Sequence, residues 1–389
     1  MSAPSAKTHD TSVPTVFAST RHSIAAFSSD SPSPRELLLL WLTSGVCFIV
    51  VLTHFASYSP SVLAFGDNGE YISAAHAVQH WDLRSTQTRQ GWGLSYLIAF
   101  LSIFHLSDQL SLILISLAAS FGTVLLVRSL WGPWIAAFFA ILNFPWIQAS
   151  FLGSSEPLFL LLLFGSFWFS RNERPKQRWL LASALAALAT VTRAVGIFSL
   201  AALGINLLLR REYRKLTFCT ALAAVIGMLY LLPFWIAFHD PFYQFHRRAS
   251  VGDWNSGHLL TWPLHIIVVS YLYYRGPWTN VILTGFWISL AFVGLCRIVA
   301  GMYRDKFTKY SYEQLFTVAY LMFLFCYNSL EWARWDFPRF VIPVIPILLY
   351  SFYRWLPKRR YVLYPLCIVC STLAACSAIG IKNVIAHMH

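Results

Sequence analysis

Two carboxylates and a tyrosine sit close together at Asp67, Glu70 and Tyr71, within the stretch FGDNGEY at 65–71. A carboxylate in a polar segment can take a proton from a bound hydroxyl or help to hold a cation, and surface segments carry function more often than packing. As ordinary solvated charges these acids would do neither, and the stretch alone does not decide between the two. Glu156 opens an apolar run, SSEPLFLLLL, where its plainest role is a helix cap beside Pro157. Arg193 interrupts the apolar stretch 179–209. An ionisable group there is costly unless it is paired or lines a polar cavity, and an ion pair with Glu156 or Asp67 would account for it. Arg339 lies in DFPRFVIPVIP, just after an acidic, Trp-rich turn holding Glu331, Trp332, Arg334, Trp335 and Asp336. Arginine suits two-pronged binding of phosphate, although an interfacial arginine also snorkels with no further role. His76 and His80 have the i, i+4 spacing of metal ligands but lack the HExxH context, so no metal site is assigned to them. Walker, GxGxxG and GxSxG patterns are absent.

The elements that must position these residues belong to a membrane. Of the 389 residues 57% are hydrophobic and only 12% charged, with mean hydropathy +0.57, which excludes an ordinary soluble domain. The 16 tryptophans suit bilayer interfaces. A net charge of +13 is spread through short segments between apolar runs, so it speaks for membrane orientation and against nucleic acid. The cysteines (47, 219, 296, 326, 367, 370 and 376) fall mostly inside apolar runs and read as small core residues.

Residues 1–34 are too poor in large apolar side chains to fold and are expected to form a disordered cytoplasmic tail. The remainder, 35–389, reads as one integral domain: an all-α, multi-pass bundle of about 11 transmembrane helices. The first helix, 37–56, is expected to be retained rather than cleaved. Further runs lie at about 110–127, 133–150, 156–170, 179–209, 216–238, 279–300, 314–330, 338–355 and 361–381. The run 179–209 is too long for one crossing, and two short helices meeting at Arg193 fit it better. Runs 92–106 and 262–274 are too short for a span and are expected to be re-entrant or interfacial.

Four segments, 171–178, 210–215, 297–309 and 354–360, hold more than half of the 29 Lys and Arg residues. The positive-inside rule makes them cytoplasmic. Provided 92–106 does not cross, the segment 57–91 with Asp67, the turn at Glu156, and the segments 240–261 and 331–337 then face outward. Asp67, Glu156, Asp253 and Asp336 are thus predicted outside, and Arg174, Arg211, Lys306 and Arg359 inside. Nine of the 16 acids, Asp82, Asp108 and Asp240 among them, fall on that outer side. Asp67, Glu156 and the guanidinium of Arg339 or Arg193 are expected to converge on a single outward cavity that opens sideways between helices.

Taken in order, these residues resemble the GT-C glycosyltransferases, membrane enzymes that use polyprenyl-phosphate-linked sugars. The likeness covers about 37–356. Asp67, Tyr71 and Ala75 are similar to the acidic motif of the family's first outer loop, and Glu156 to the acid before a later apolar helix. ALATVTRAVGIF is similar to its Thr-Arg-Pro-x-Gly stretch, with Ala194 in place of Pro, and PRFVIPVIP to its Pro-Arg-Tyr-x-x-Pro helix start. Asn68 stands where many members have a second acid, so metal binding is not implied, and no soluble outer domain is expected after the last run.

The resemblance implies inverting transfer of a hexose, such as mannose, from a polyprenyl-phosphate donor to a lipid, glycan or protein acceptor. The outer or luminal face of a bacterial inner membrane or the endoplasmic reticulum would be the place. Asp67 would be the base, Glu70 or Glu156 would orient the acceptor or help to hold a divalent cation, and Arg193 or Arg339 would face the phosphate. Tyr71, His76 and Asp336 complete the substrate-binding set, and no cofactor is required. A transporter or flippase of lipid-linked sugars is the alternative. The lack of an internal repeat and the gathering of acids at one face argue against it.

Overall fold

A computed structural model describes residues 31–56, 67–86, 90–172, 177–250, 258–272, 278–304, 311–329 and 336–379. Residues 1–30 of the expected tail, 57–66 and 87–89 of the expected outer segment, Arg174, Asp253, Lys306 and the turn 331–335 lie outside the described residues. The chain is helical: α1 (Pro34–Ala56), α2 (Asn68–Gln79), α3 (Gly93–Ser102), α4 (Asp108–Trp131), α5 (Pro133–Leu142), α6 (Phe144–Leu152), α7 (Ser155–Arg171), α8 (Arg178–Thr192), α9 (Ile197–Leu209), α10 (Tyr213–Phe238), α11 (Tyr243–Ser250), α12 (His265–Leu272), α13 (Trp278–Arg304), α14 (Tyr312–Cys326), α15 (Phe337–Phe340), α16 (Ile345–Ser351) and α17 (Arg360–Ile379). Among the described residues the only strand-like pairing is an isolated bridge between Leu260 and Tyr327.

Five helices, α1, α4, α10, α13 and α17, are long and apolar enough to cross a bilayer, or six spans if α5 and α6, bent by 80°, count as one. The structure is therefore compatible with a multi-pass membrane protein, but length and composition do not reach the expected count of about 11. The difference arises where apolar runs are divided by local chemistry. The run 133–150 breaks at Asn143, whose side chain accepts from the Trp146 N–H at 2.8 Å and so caps a new helix, with Pro145 in its first turn. The run 338–355 breaks where Pro343 and Pro346 remove backbone donors, leaving α15, a 3₁₀ turn at Ile342–Val344 and α16. The run 179–209 divides into α8 and α9 at Arg193, as its length required. The short runs yield α3 and α12, of 10 and 8 residues.

In the packing, α7 lies between α4 and α8, α1 runs along α17, α10 along α8, and α14 against α9. Aromatic rings fill the centre: Trp131 meets Phe164 and Phe167 edge to face, and Phe167 meets Tyr312 in the same way. All seven cysteines are free, and Cys219, Cys367 and Cys370 are buried as core residues. The helix directions give the bundle two unlike ends. At one, Arg171 at the close of α7 bonds Glu313 of α14 at 2.5 Å and the Leu130 carbonyl of α4 at 2.7 Å. There too Arg360 of α17 pairs with Glu36 of α1 at 2.8 Å, and Arg297 lies over the Trp355 ring at 4.7 Å. The other end receives the N-terminus of α7 and the break between α8 and α9, and it holds the acids.

Candidate active site

The described part of FGDNGEY, 67–71, is not a loop. Asp67 is the residue before α2, and Asn68, Glu70 and Tyr71 form the first turn of that helix. The helix forms because Tyr71, Ala74, Ala75 and Val78 recur at three- and four-residue spacing and bury one face. Asn68 donates to the Leu152 carbonyl at 2.9 Å, and the Tyr71 hydroxyl meets Ser155 Oγ at 2.7 Å. These two bonds fix the start of α2 on the turn between α6 and α7. In that turn Gly153 has φ +86°, a conformation that favours glycine, and the Ser154 N–H donates to Ser116 Oγ at 2.9 Å. Glu156 follows in the first turn of α7, and its Oε2 accepts from the Ser154 hydroxyl.

Arg193 ends α8 in an extended conformation (φ −144°, ψ 129°). The chain turns back at once, and a Cβ on Gly196 would come within 2.5 Å of the Thr190 nitrogen, so the break is closed by backbone against backbone. The Arg193 Nη1 donates to Glu156 Oε1 and to Ser155 Oγ at 3.2 Å, while its guanidinium lies 5.7 Å from the Phe340 ring centre. Arg339 enters from α15. Its Nε donates to the same Glu156 Oε1, and its Nη2 to Asp67 Oδ2 at 2.6 Å. The short helix is pinned on either side of Arg339: the Pro338 carbonyl accepts from Asn143 at 2.8 Å, and the Phe340 carbonyl from the Tyr320 hydroxyl at 2.7 Å.

The structure thus brings together Asp67, Glu156, Arg193 and Arg339. Their side chains are 22%, 4%, 16% and 14% exposed respectively, so Asp67 is the most accessible and Glu156 the least. Glu156, Arg193 and Arg339 border a narrow cleft together with Tyr320, Phe340 and Pro343, and Asp67 reaches this group through Arg339. The two acids balance the two guanidiniums, which is how charges persist where water is scarce. An anion could reach the guanidinium forks only by displacing a carboxylate from them.

The other sequence-derived candidates fall around this group. Glu70, half-buried, occupies the first turn of α2, where the helix dipole favours an acid. Asp336 directly precedes α15. Tyr71, expected to bind substrate, is 2% exposed, and its hydroxyl meets Ser155 Oγ. His76 is not part of the cluster. It lies nine residues along α2 from Asp67, about 13 Å at helical rise, with Nε2 3.1 Å from Asp108 Oδ2 and its ring stacked on His80. Among the described residues no group of three His, Cys, Asp or Glu is arranged to hold a metal ion.

Four supporting residues went unrecognised in the sequence. Ser154 and Ser155 stand in the same SSEP string as Glu156, but only the fold shows that they join Glu156 to Arg193 and Tyr71. Asn68 marks only a missing acid in the sequence, whereas it anchors the helix, and Tyr320 sits in a run that reads as plain membrane span. Comparison of the chain with family models, with curated proteins and with solved structures finds no match.

Proposed function

We propose that the chain is a membrane glycosyltransferase of the GT-C type, transferring a hexose such as mannose from a polyprenyl-phosphate donor to a lipid, glycan or protein acceptor with inversion. The observation that carries this reading is the meeting of two acids and two arginines, from four separate helix ends, at one cleft. In such a transfer the acceptor oxygen bonds to the anomeric carbon, the bond from that carbon to the phosphate oxygen breaks, and the acceptor proton passes to a base. Arg339 and Arg193 are suited to hold the departing phosphate. Asp67 is the acid an acceptor can reach, and Glu70 is the other candidate base. Glu156, buried and shared between both arginines, orients the two cations rather than touching the acceptor. In the resting site Asp67 is engaged by Arg339. A donor phosphate that takes over this guanidinium frees the carboxylate, so donor binding precedes acceptor activation.

The same reading extends to the membrane. We take α1, α4, the bent α5–α6 pair, α7, α8, α9, α10, α13, α14, the bent α15–α16 pair and α17 as eleven passages, with α2, α3, α11 and α12 interfacial or re-entrant. The 15 residues of α8 rise about 22 Å, short of a hydrocarbon core of about 30 Å, so this passage requires local thinning. By the positive-inside rule the basic end is cytoplasmic and the cleft faces the outer or luminal side.

The test is an assay of the purified protein with radiolabelled polyprenyl-phosphate hexose, in which label should move to an acceptor with release of polyprenyl phosphate. Movement of the intact donor across a proteoliposome membrane, without loss of sugar, would instead establish a flippase of lipid-linked sugars. The helix breaks at Asn143 and Arg193 favour that second reading, since broken helices frame many transporter sites.

A further inference from the structure

Far from the cleft, three cations from three helix ends gather on one indole. Trp179, in the first turn of α8, is 6% exposed. Its ring centre lies 5.2 Å from Arg178 Cζ, 5.8 Å from Arg210 Cζ at the close of α9, and 5.9 Å from Lys215 Nζ in the first turn of α10. Lys215 is bonded to Glu212 at 2.8 Å, whereas among the described residues no carboxylate pairs with Arg178 or Arg210. The Trp179 Nε1, also buried, has no hydrogen-bond partner among the described residues.

The helix starts add to this positive field. The N-terminal halves of α8 and α10 are joined by a bond from Cys219 Sγ to the Trp179 carbonyl at 3.3 Å and one from Ser183 Oγ to the Cys219 carbonyl at 2.8 Å. Neither start is closed by a side chain: Gln177 and Glu212 make no capping bond. Two adjacent uncapped N-termini leave backbone N–H groups for an anion, and gathered cations that are not neutralised repel one another.

From these features we propose that this end of the bundle binds the phosphate headgroup of an anionic phospholipid, held by Arg178, Arg210 and Lys215 over Trp179. The surface beyond the cations distinguishes a lipid from a free phosphate. Phe218, Val225, Leu229 and Leu232 repeat at helical spacing on one exposed face of α10, starting within a turn of Lys215. Only 6% of the apolar window of α10 is buried, so acyl chains have an open face to lie along while the headgroup meets the cations.

The test follows the thermal unfolding of the purified full-length protein in a nonionic detergent, titrated separately with dioleoyl phosphatidylglycerol, dioleoyl phosphatidylcholine and inorganic phosphate. Phosphatidylglycerol should raise the midpoint at concentrations where the other two do not. The double variant Arg178→Gln/Arg210→Gln should weaken that response by roughly 5-fold in concentration per cation removed. Arg359→Gln, at the same end but outside the cluster, should leave it unchanged. If the double variant does not fold, the exposed Lys215→Gln supplies the same comparison with a single step. An equal response to phosphatidylcholine, or a cluster variant that responds like the native chain, overturns the proposal. So does a full response to inorganic phosphate alone. Because the readout is lipid binding, it is independent of whether the chain transfers sugar.

Discussion

At the cleft, Arg193 and Arg339 are 16% and 14% exposed, and both donate to one oxygen of Glu156. At the other end, Arg210 is exposed and rests on Trp179, and Arg360 pairs with Glu36 where both remain about half in water, at 45% and 33% exposure. The same residue type is thus committed at one end and available at the other. Burial makes the difference: at the cleft each charge depends on its partners, so the four residues are a unit, while at the basic end a charge can be removed without stranding another. Arg171 with Glu313, the latter 3% exposed, is the one described pair at the basic end built in the cleft's manner.

The largest effect is expected at the reachable acid of that unit. Asp67→Asn keeps the shape of the side chain and removes the base proposed above, so if the chain transfers sugar, turnover should fall by roughly 10²–10⁴-fold while donor binding and folding persist. Wild-type turnover would remove Asp67 from the chemistry, and a comparable loss in Glu70→Gln would move the base to that residue.

Glu156→Gln tests the dependence of the cluster on its centre. It leaves two buried guanidiniums without their shared carboxylate, and a loss of about 3–5 kcal/mol of stability is expected in denaturant titration of the detergent-solubilised protein. An unchanged midpoint would show that the cations are hydrated in solution and that the contrast between the two ends is one of geometry only.

Arg339→Lys keeps the charge but loses the fork that reaches Glu156 and Asp67 together. Donor affinity and turnover should both fall, on the order of tenfold or more, which equilibrium binding of the lipid donor would read directly. Tyr71→Phe removes one buried hydroxyl that meets Ser155 and should cost about 1 kcal/mol. The smallest change is expected from Arg360→Gln, where a solvent-screened pair should contribute only about 0.2–1 kcal/mol; a loss as large as that of Glu156→Gln would erase the distinction between the ends.

Parts of this arrangement were legible because a charge in an apolar run has few explanations. Arg193 marked the break between α8 and α9 for that reason, and acids and arginines at matching helix ends pointed to a shared level. The division of 338–355 was available in Pro343 and Pro346 but hidden by an otherwise unbroken apolar composition. The helical start of FGDNGEY was obscured because its buried face consists mainly of alanines, which carry little hydropathy signal. The bonds that fix the cluster, Asn68 to Leu152, Tyr71 to Ser155 and Tyr320 to Phe340, join groups whose pairing no single-chain spacing encodes.

Arg339 and Asp67 stand 272 residues apart in the chain, whereas Arg193 and Glu156 are separated by 37. A ribosome adding roughly 5–20 residues per second delivers Asp67 about 14–54 s before the cation that will hold it. The Glu156–Arg193 pair can close early, while the Asp67 carboxylate waits for a partner made much later. A nascent chain that ends after α10 holds Glu156 and Arg193 but not Arg339, so synthesis of the segment carrying Arg339 is the step that can complete the unit.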